Sequence, residues 1–122
     1  MQPKKILLID DNVDFLTTLS SALQCFEYDV EVAYTGYDGV QKYETRTPDI
    51  VVCDIGLPDM NGYIVAMEII KLSKLKSKKV SLLALSGYSK EMYKDLATGE
   101  EFSAHFTKPV NLENLLDFFM KV

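Results

Sequence analysis

Cysteine is scarce in this chain of 122 residues, which carries only Cys25 and Cys53. Their spacing fits no metal site, and Cys53 lies inside an apolar run, where a thiol behaves as a small hydrophobe. A reducing compartment is expected. Histidine is scarcer still: His105 stands alone, with no second imidazole to share a metal. Basic charge trails acidic charge, 13 Lys and Arg against 18 Asp and Glu for a net −5. The basic footprint of a direct nucleic-acid binder is therefore missing. No run approaches the ~20 apolar residues of a membrane span, and Met1-Gln2-Pro3-Lys4-Lys5 lacks the apolar core of a signal peptide. A soluble, cytoplasmic protein is expected, touching neither nucleic acid nor membrane. Internal repeats, low-complexity tracts and linkers are also wanting, and the length suits one domain over 1–122. A chain of this size buries roughly two-thirds of its unfolded surface, enough for a core without covalent staples.

What is present is a regular alternation. Ile6-Leu7-Leu8-Ile9, Ile50-Val51-Val52-Cys53 and Val80 to Leu85 are short apolar runs, each stopped by polar residues. Such runs read as central strands of a parallel sheet covered on both faces. In Asp29 to Tyr34, Val30, Val32 and Tyr34 alternate with Asp29, Glu31 and Ala33, as on an edge strand with one wet face. Phe102 to Thr107 supplies a weaker fifth strand. Between the strands, helical stripes are expected at Phe15, Leu16, Leu19, Leu23 and Phe26; at Tyr37, Val40 and Tyr43 after a Thr35 cap; and at Ile64, Met67 and Ile70. A short polar helix is expected between Ser89 and Ala97. The last stripe is Leu112, Leu115, Leu116 and Phe119, with Asn111 as its cap. Strand and helix thus alternate five times, the pattern of an α/β fold with a parallel sheet and helices on both faces. The lysines at 71, 74, 76, 78 and 79 read as a solvated helix end that complements the dipole.

Ligands of open α/β sheets bind beyond the carboxyl ends of the strands. The residues expected there are Asp10, Asp11, Asp54, Ser86 and Lys108. If the first and third strands are neighbours, three carboxylates converge, each close pair costing ~1 kcal/mol in water-like surroundings and ~4 at an effective dielectric of 20. Such a cluster either raises its pKa values or binds a cation. Hard oxygen donors with room for water favour magnesium over calcium or zinc. Plainer readings stand beside these: Asp54 as a strand terminator, Asp10 as a helix-capping acid, Ser86 as the opener of a helix, Lys108 as a surface lysine.

Together these residues resemble the response-regulator receiver domains of two-component phosphorelays. Asp10-Asp11-Asn12 is similar to their acidic pair. Asp54-Ile55-Gly56-Leu57-Pro58-Asp59-Met60-Asn61-Gly62 is similar to the segment that follows their phospho-accepting aspartate. Ser86-Gly87 and Lys108-Pro109 match their hydroxyl and lysine–proline positions. The likeness runs from Lys4 to Val122 and leans toward receivers of hybrid sensor kinases. It implies a flavodoxin-like sheet of strand order 2-1-3-4-5. It also implies that Asp54 accepts a phosphoryl group and changes the protein's shape. Asp11, Asp54 and the Gly56 carbonyl would ligate magnesium, with Asp10 acting through water. Lys108 would pair with Asp54 or its phosphoryl group, Ser86 would donate to that group, and the Lys108–Pro109 bond would be cis. The implied donor is a histidine kinase or histidine phosphotransfer protein. The implied output face is the fourth helix, fifth strand and fifth helix. The chain would be a signalling module, not an enzyme, assisting only changes at its own Asp54.

Some residues depart from that pattern. His105 stands where many receivers place an aromatic switch; it reads equally as a switch or as a plain packed or exposed residue. Glu100-Glu101 replace a glycine common before the lysine, which points to a short or frayed fourth helix. Tyr88 and Gly56 would flank the phosphoryl group. Among rivals, a haloacid-dehalogenase-type enzyme would use Asp10 as nucleophile, but Asn12 cannot serve as its acid. A flavodoxin-like cofactor binder would need a Gly/Ser/Thr-rich loop after the first strand, which is lacking. A receiver-like module that is never phosphorylated would not need the acidic set.

Overall fold

The computed structural model describes residues 4–87 and 102–122. Five strands, β1 (Lys5–Ile9), β2 (Asp29–Ala33), β3 (Ile50–Asp54), β4 (Ser81–Ser86) and β5 (Ala104–Thr107), form one sheet. All pairs are parallel, in the order β2-β1-β3-β4-β5. Helices α1 (Val13–Cys25), α2 (Gly36–Arg46), α3 (Gly62–Leu75) and α4 (Leu112–Lys121) connect and close it. The order anticipated from the resemblance is the one observed. The helix expected between Ser89 and Ala97 lies outside the described residues, as do Tyr88, Glu100 and Glu101.

Alternation along the buried strands sends side chains to two separate cores. Ile6, Leu8, Ile50, Val52, Leu83 and Leu85 meet Leu16, Leu19 and Leu23 of α1 and Leu115 and Phe119 of α4. On the other face Leu7, Ile9, Val51, Cys53 and Leu82 meet Tyr43 of α2 and Val65, Ala66 and Ile69 of α3. Each such side chain contributes ~1.5–3 kcal/mol by leaving water. The two cores clamp β1 and β3 from both sides, which fixes the ends of those strands in space.

Each helix begins with a side-chain oxygen on its own backbone, worth ~1 kcal/mol per cap. Asn12 accepts from Phe15 N, Thr35 from Asp38 N, Asn61 from Tyr63 N and Ile64 N, and Asn111 from Asn114 N. The Thr35 and Asn111 caps were anticipated. Asp59 adds a second cap to α2 from the loop before α3, its two oxygens accepting from Gly36 N at 2.8 Å and Tyr37 N at 2.9 Å. At the opposite end of the strands, lysines answer helix C-terminal carbonyls. Lys4 donates to Phe119 O at 3.0 Å, and Lys78 donates to Thr47 O and lies 3.4 Å from Asp49.

Several expected faces are corrected. In α3 the buried residues include Tyr63, Val65, Ala66 and Ile69, while Ile64 and Met67 are 46% and 47% exposed. Tyr63 to Ile70 is apolar at every position but Glu68, so its period names no single face. Tyr37 is exposed because Gly36 and Gly39 give α2 its close contact side, and Phe26 is exposed as the residue that terminates α1. Ala33 is buried, not wet, since α2 packs over that face of β2. Tyr34 lies beyond the end of β2, and β5 begins two residues later than expected; Phe102 instead packs edge-on against Tyr63, centroids 5.5 Å apart.

Gly62 opens α3 against the end of β3. A Cβ there would sit 2.6 Å from Asp54 O and 2.9 Å from Ile55 Cα, backbone atoms that cannot swing aside. Gly62→Ala is expected to lower stability by about 1–3 kcal/mol, read from the urea midpoint. The backbone donors from Tyr37 and Gly36 lower the Asp59 pKa. A lowered pKa contributes stability above the unfolded value of ~3.9 that is lost as pH falls through the folded one. Asp59→Ala should therefore unfold at less urea than wild type at pH 7, with the two converging in acid.

Candidate functional site

Parallel β1 and β3 are adjacent, with Ile9 opposite Cys53, so the residues that follow or end them share one edge. Asp10 leaves β1 and Asp54 ends β3. Oxygens of Asp10, Asp11 and Asp54 all lie within 4.8 Å of one another. Lys108, which follows β5, sends its amine into this group. Nζ donates to Asp10 Oδ2 at 2.7 Å and lies 3.7 Å from Asp54 Oδ2. The Lys108–Pro109 bond is cis, and Lys108 N donates to Ser86 O at 2.7 Å. Ser86 is itself buried at the end of β4.

The amine forms an ion pair with both carboxylates, and the nearer partner is Asp10 rather than Asp54. The Asp10 side chain is 2% exposed and that of Asp54 10%; the carboxylate with less access to water has more need of a cation. Asp10 Oδ1 accepts from Asn12 N at 2.9 Å, and Asp54 Oδ1 from Gly56 N at a long 3.4 Å. Asp10 is thus no helix cap. That task falls to Asn12, two residues on.

Burial, first, and then the Asp10 charge push the Asp54 pKa up; Lys108 and the Gly56 N–H oppose them, and Asp11 adds a smaller push upward. The same burial, aided by Asp54, Asp10 and Asp59, raises the Cys53 thiol strongly, so it stays protonated and donates to Asp54 O at 3.3 Å. The donor set suits a hard cation. The carboxylate oxygens of Asp10, Asp11 and Asp54 lie within 4.8 Å of one another, close enough to face a single small cation. Gly56 bridges to Asn61 across the β3–α3 loop, and a Cβ on it would meet nothing within 4 Å. The backbone there is open to a ligand.

The family model described as response regulator receiver domain matches residues 6–119. The chain belongs to that family. The receiver is 32% identical over 116 residues to the transcriptional regulatory protein TrcR of Mycobacterium tuberculosis, covering 93% of this chain and 43% of TrcR. It is 34% identical over 111 residues to the sensor histidine kinase AtsR of Burkholderia thailandensis, covering 89% of this chain and 18% of AtsR. It therefore spans less than half of either relative. It also superposes on a chain in the co-crystal structure of the Saccharomyces cerevisiae histidine phosphotransfer signaling protein Ypd1 and the receiver domain of its downstream response regulator Ssk1. There the TM-score is 0.86 at 25% identity, covering 99% of this chain and 90% of that one.

The receiver fold thus gathers Asp10, Asp11, Asp54 and Lys108, with Ser86 beside the lysine's backbone. His105 stands one step back from the edge, half-buried and opposite Ala84, on the sheet face away from α1 and α4. Sequence reasoning missed two neighbours of the site. Phe15, read only as part of a core stripe, places its ring under Lys108, with Nζ 5.2 Å from the centroid. Asp59, five residues after Asp54, ties the site loop to α2. Among the described residues no helix is long and apolar enough to cross a membrane.

A raised carboxyl pKa makes the ionised group a burden on the folded state. Stability tied to the protonated form is present below ~3.9 and lost as pH rises through the folded pKa. In metal-free buffer at pH 7, Asp54→Asn is expected to be more stable than wild type by about 1 kcal/mol, with the difference closing in acid. Urea unfolding at several pH values checks this, and an Asn variant that is weaker throughout contradicts it.

Proposed function

We propose that Asp54 takes a phosphoryl group from a phosphohistidine donor and that the transfer requires magnesium. One observation carries the reading: the Lys108 amine lies 2.7 Å from Asp10 and 3.7 Å from Asp54. A fixed positive charge therefore stands beside a buried carboxylate that has acidic neighbours on a single edge. Asp11, Asp54 and the Gly56 carbonyl would hold the ion, and Asp10 would reach it through water. When bound, magnesium neutralises the repulsion among these acids and the charge on the phosphoryl oxygens. An Asp54 oxygen attacks phosphorus. The new O–P bond forms as the P–N bond to the donor imidazole breaks, and the imidazole keeps the bonding pair and takes up a proton. Lys108 stabilises negative charge as it spreads over the transferring oxygens. The Ser86 hydroxyl donates to one of those oxygens afterward, and the resulting rearrangement is passed on through β5, where His105 serves as the switch residue.

Residues 1–122 act in this reading as one cytoplasmic receiver that assists only its own phosphorylation and dephosphorylation. The donor is a histidine kinase or a histidine phosphotransfer protein, a class supported by the likeness to a chain crystallised with Ypd1. The downstream partner binds β5, α4 and the segment preceding β5, without contact to nucleic acid. Incubation with acetyl phosphate and magnesium, followed by intact mass measurement, tests the proposal. One added phosphoryl group per chain is expected, absent in Asp54→Ala and abolished by chelation. Magnesium-dependent hydrolysis of a phosphate ester that requires Asp10 would sink it.

A further inference from the structure

Four interactions close a ring around the Lys108 amine. Asp10 Oδ1 accepts from Asn12 N at 2.9 Å, and Asn12 Oδ1 accepts from Phe15 N at 3.0 Å. The Phe15 ring centroid lies 5.2 Å from Lys108 Nζ, and Nζ returns to Asp10 Oδ2 at 2.7 Å. The first two contacts fix the opening turn of α1, so the ring is placed by backbone geometry and not by its own rotamer alone. Its other edge packs against the core between the sheet and α1 and α4. An ammonium within ~6 Å of an aromatic face is attracted by the ring's quadrupole. That attraction has no preferred hydrogen-bond direction, and the ring also keeps water from one side of the charge.

We propose that Phe15 is a positioning residue for phosphoryl transfer, its ring holding the Lys108 amine beside the carboxylates while leaving it free to turn from Asp10 toward the group arriving on Asp54. This rests on the assignment of Asp54 as phosphoacceptor. An aliphatic side chain would fill the same core space but give the amine no such face. Tyrosine would keep the face.

The experiment compares wild type, Phe15→Leu and Phe15→Tyr, alone and with Lys108→Ala. Acetyl phosphate with magnesium is the donor, because it has no docking surface that a change on α1 could disturb. Phosphorylation in Phe15→Leu is expected to slow about two- to five-fold, while Phe15→Tyr stays near wild type. The Leu effect should vanish in the Lys108→Ala background, as it must if the ring acts through the amine. NMR of the Lys108 ε-methylene protons gives an independent readout. They should be ring-current shifted in wild type and Phe15→Tyr and return to ordinary lysine values in Phe15→Leu. Phe15→Leu phosphorylated at the wild-type rate, or an equal loss with and without the lysine, overturns the proposal. Wild type that gains no phosphoryl group overturns the phosphoacceptor assignment and the transfer role of Phe15 with it, whereas a shifted lysine signal would still establish the ring contact itself.

Discussion

The contact between Lys108 and Asp10 is the one on which the arrangement of the edge depends. Parallel pairing of β1 with β3 brings Asp10 and Asp54 to the same rim, and Asp11 extends the cluster. Like charges at such range repel by ~1 kcal/mol or more per pair, and burial compounds the cost. A single amine crossing from the far side of the sheet at 2.7 Å supplies the only close positive charge among the described residues at this cluster. Helix N-termini add a weaker field of the same sign, since α1 and α3 both begin at this edge. The residual imbalance appears in the raised pKa of Asp54, where burial and Asp10 outweigh the lysine. A carboxylate held in that condition gains from a nearby cation.

The rest of the molecule keeps those charges from moving apart. Two cores on opposite faces bury β1, β3 and β4 almost completely, so the carboxylates hang from strands that cannot slide without exposing apolar surface. The close approach of Gly62 to the Asp54 carbonyl fixes the start of the next loop. Asp59 then fastens that loop to α2. Charge is also sorted along the sheet. Acids stand near helix N-termini at one end and lysines serve helix carbonyls at the other, so the net −5 is not spread evenly.

Much of this was legible in the sequence because β1, β3 and β4 are short, largely apolar and stopped by polar residues. Asp10, Asp54 and Ser86 could be placed on one edge before any coordinates, since each lies at or just beyond the end of an apolar run, and Lys108 followed as the residue after the weaker fifth strand. The failures have physical causes. Around Ile64 and Met67 almost every position of α3 is apolar, so amphipathic spacing could not choose the buried face. Phe15 fits the core stripe of α1 as well as it fits the lysine, and spacing cannot reveal that one ring serves two neighbours. Asn12 and Asp59 each act through two hydrogen bonds to particular neighbours, whose geometry is invisible to periodicity. The preference of Lys108 for Asp10 was hidden for a similar reason: it turns on which carboxylate is further from water.

That preference has a chemical consequence. A carboxylate oxygen attacks with a lone pair, and a short charge-assisted hydrogen bond to that oxygen would lower its nucleophilicity. Under the proposed transfer to Asp54, an amine hydrogen-bonded to Asp10 and 3.7 Å from Asp54 Oδ2 would stand near enough to stabilise charge on an incoming phosphoryl group. It would do so without a short hydrogen bond to the attacking oxygen beforehand. In that reading Asp10 would serve as the anchor that holds the lysine nearer to itself than to Asp54. On the proposed reading the three charges form one device: removing Asp10 would release the amine onto Asp54, adding a hydrogen bond where the proposed transfer would need a free lone pair.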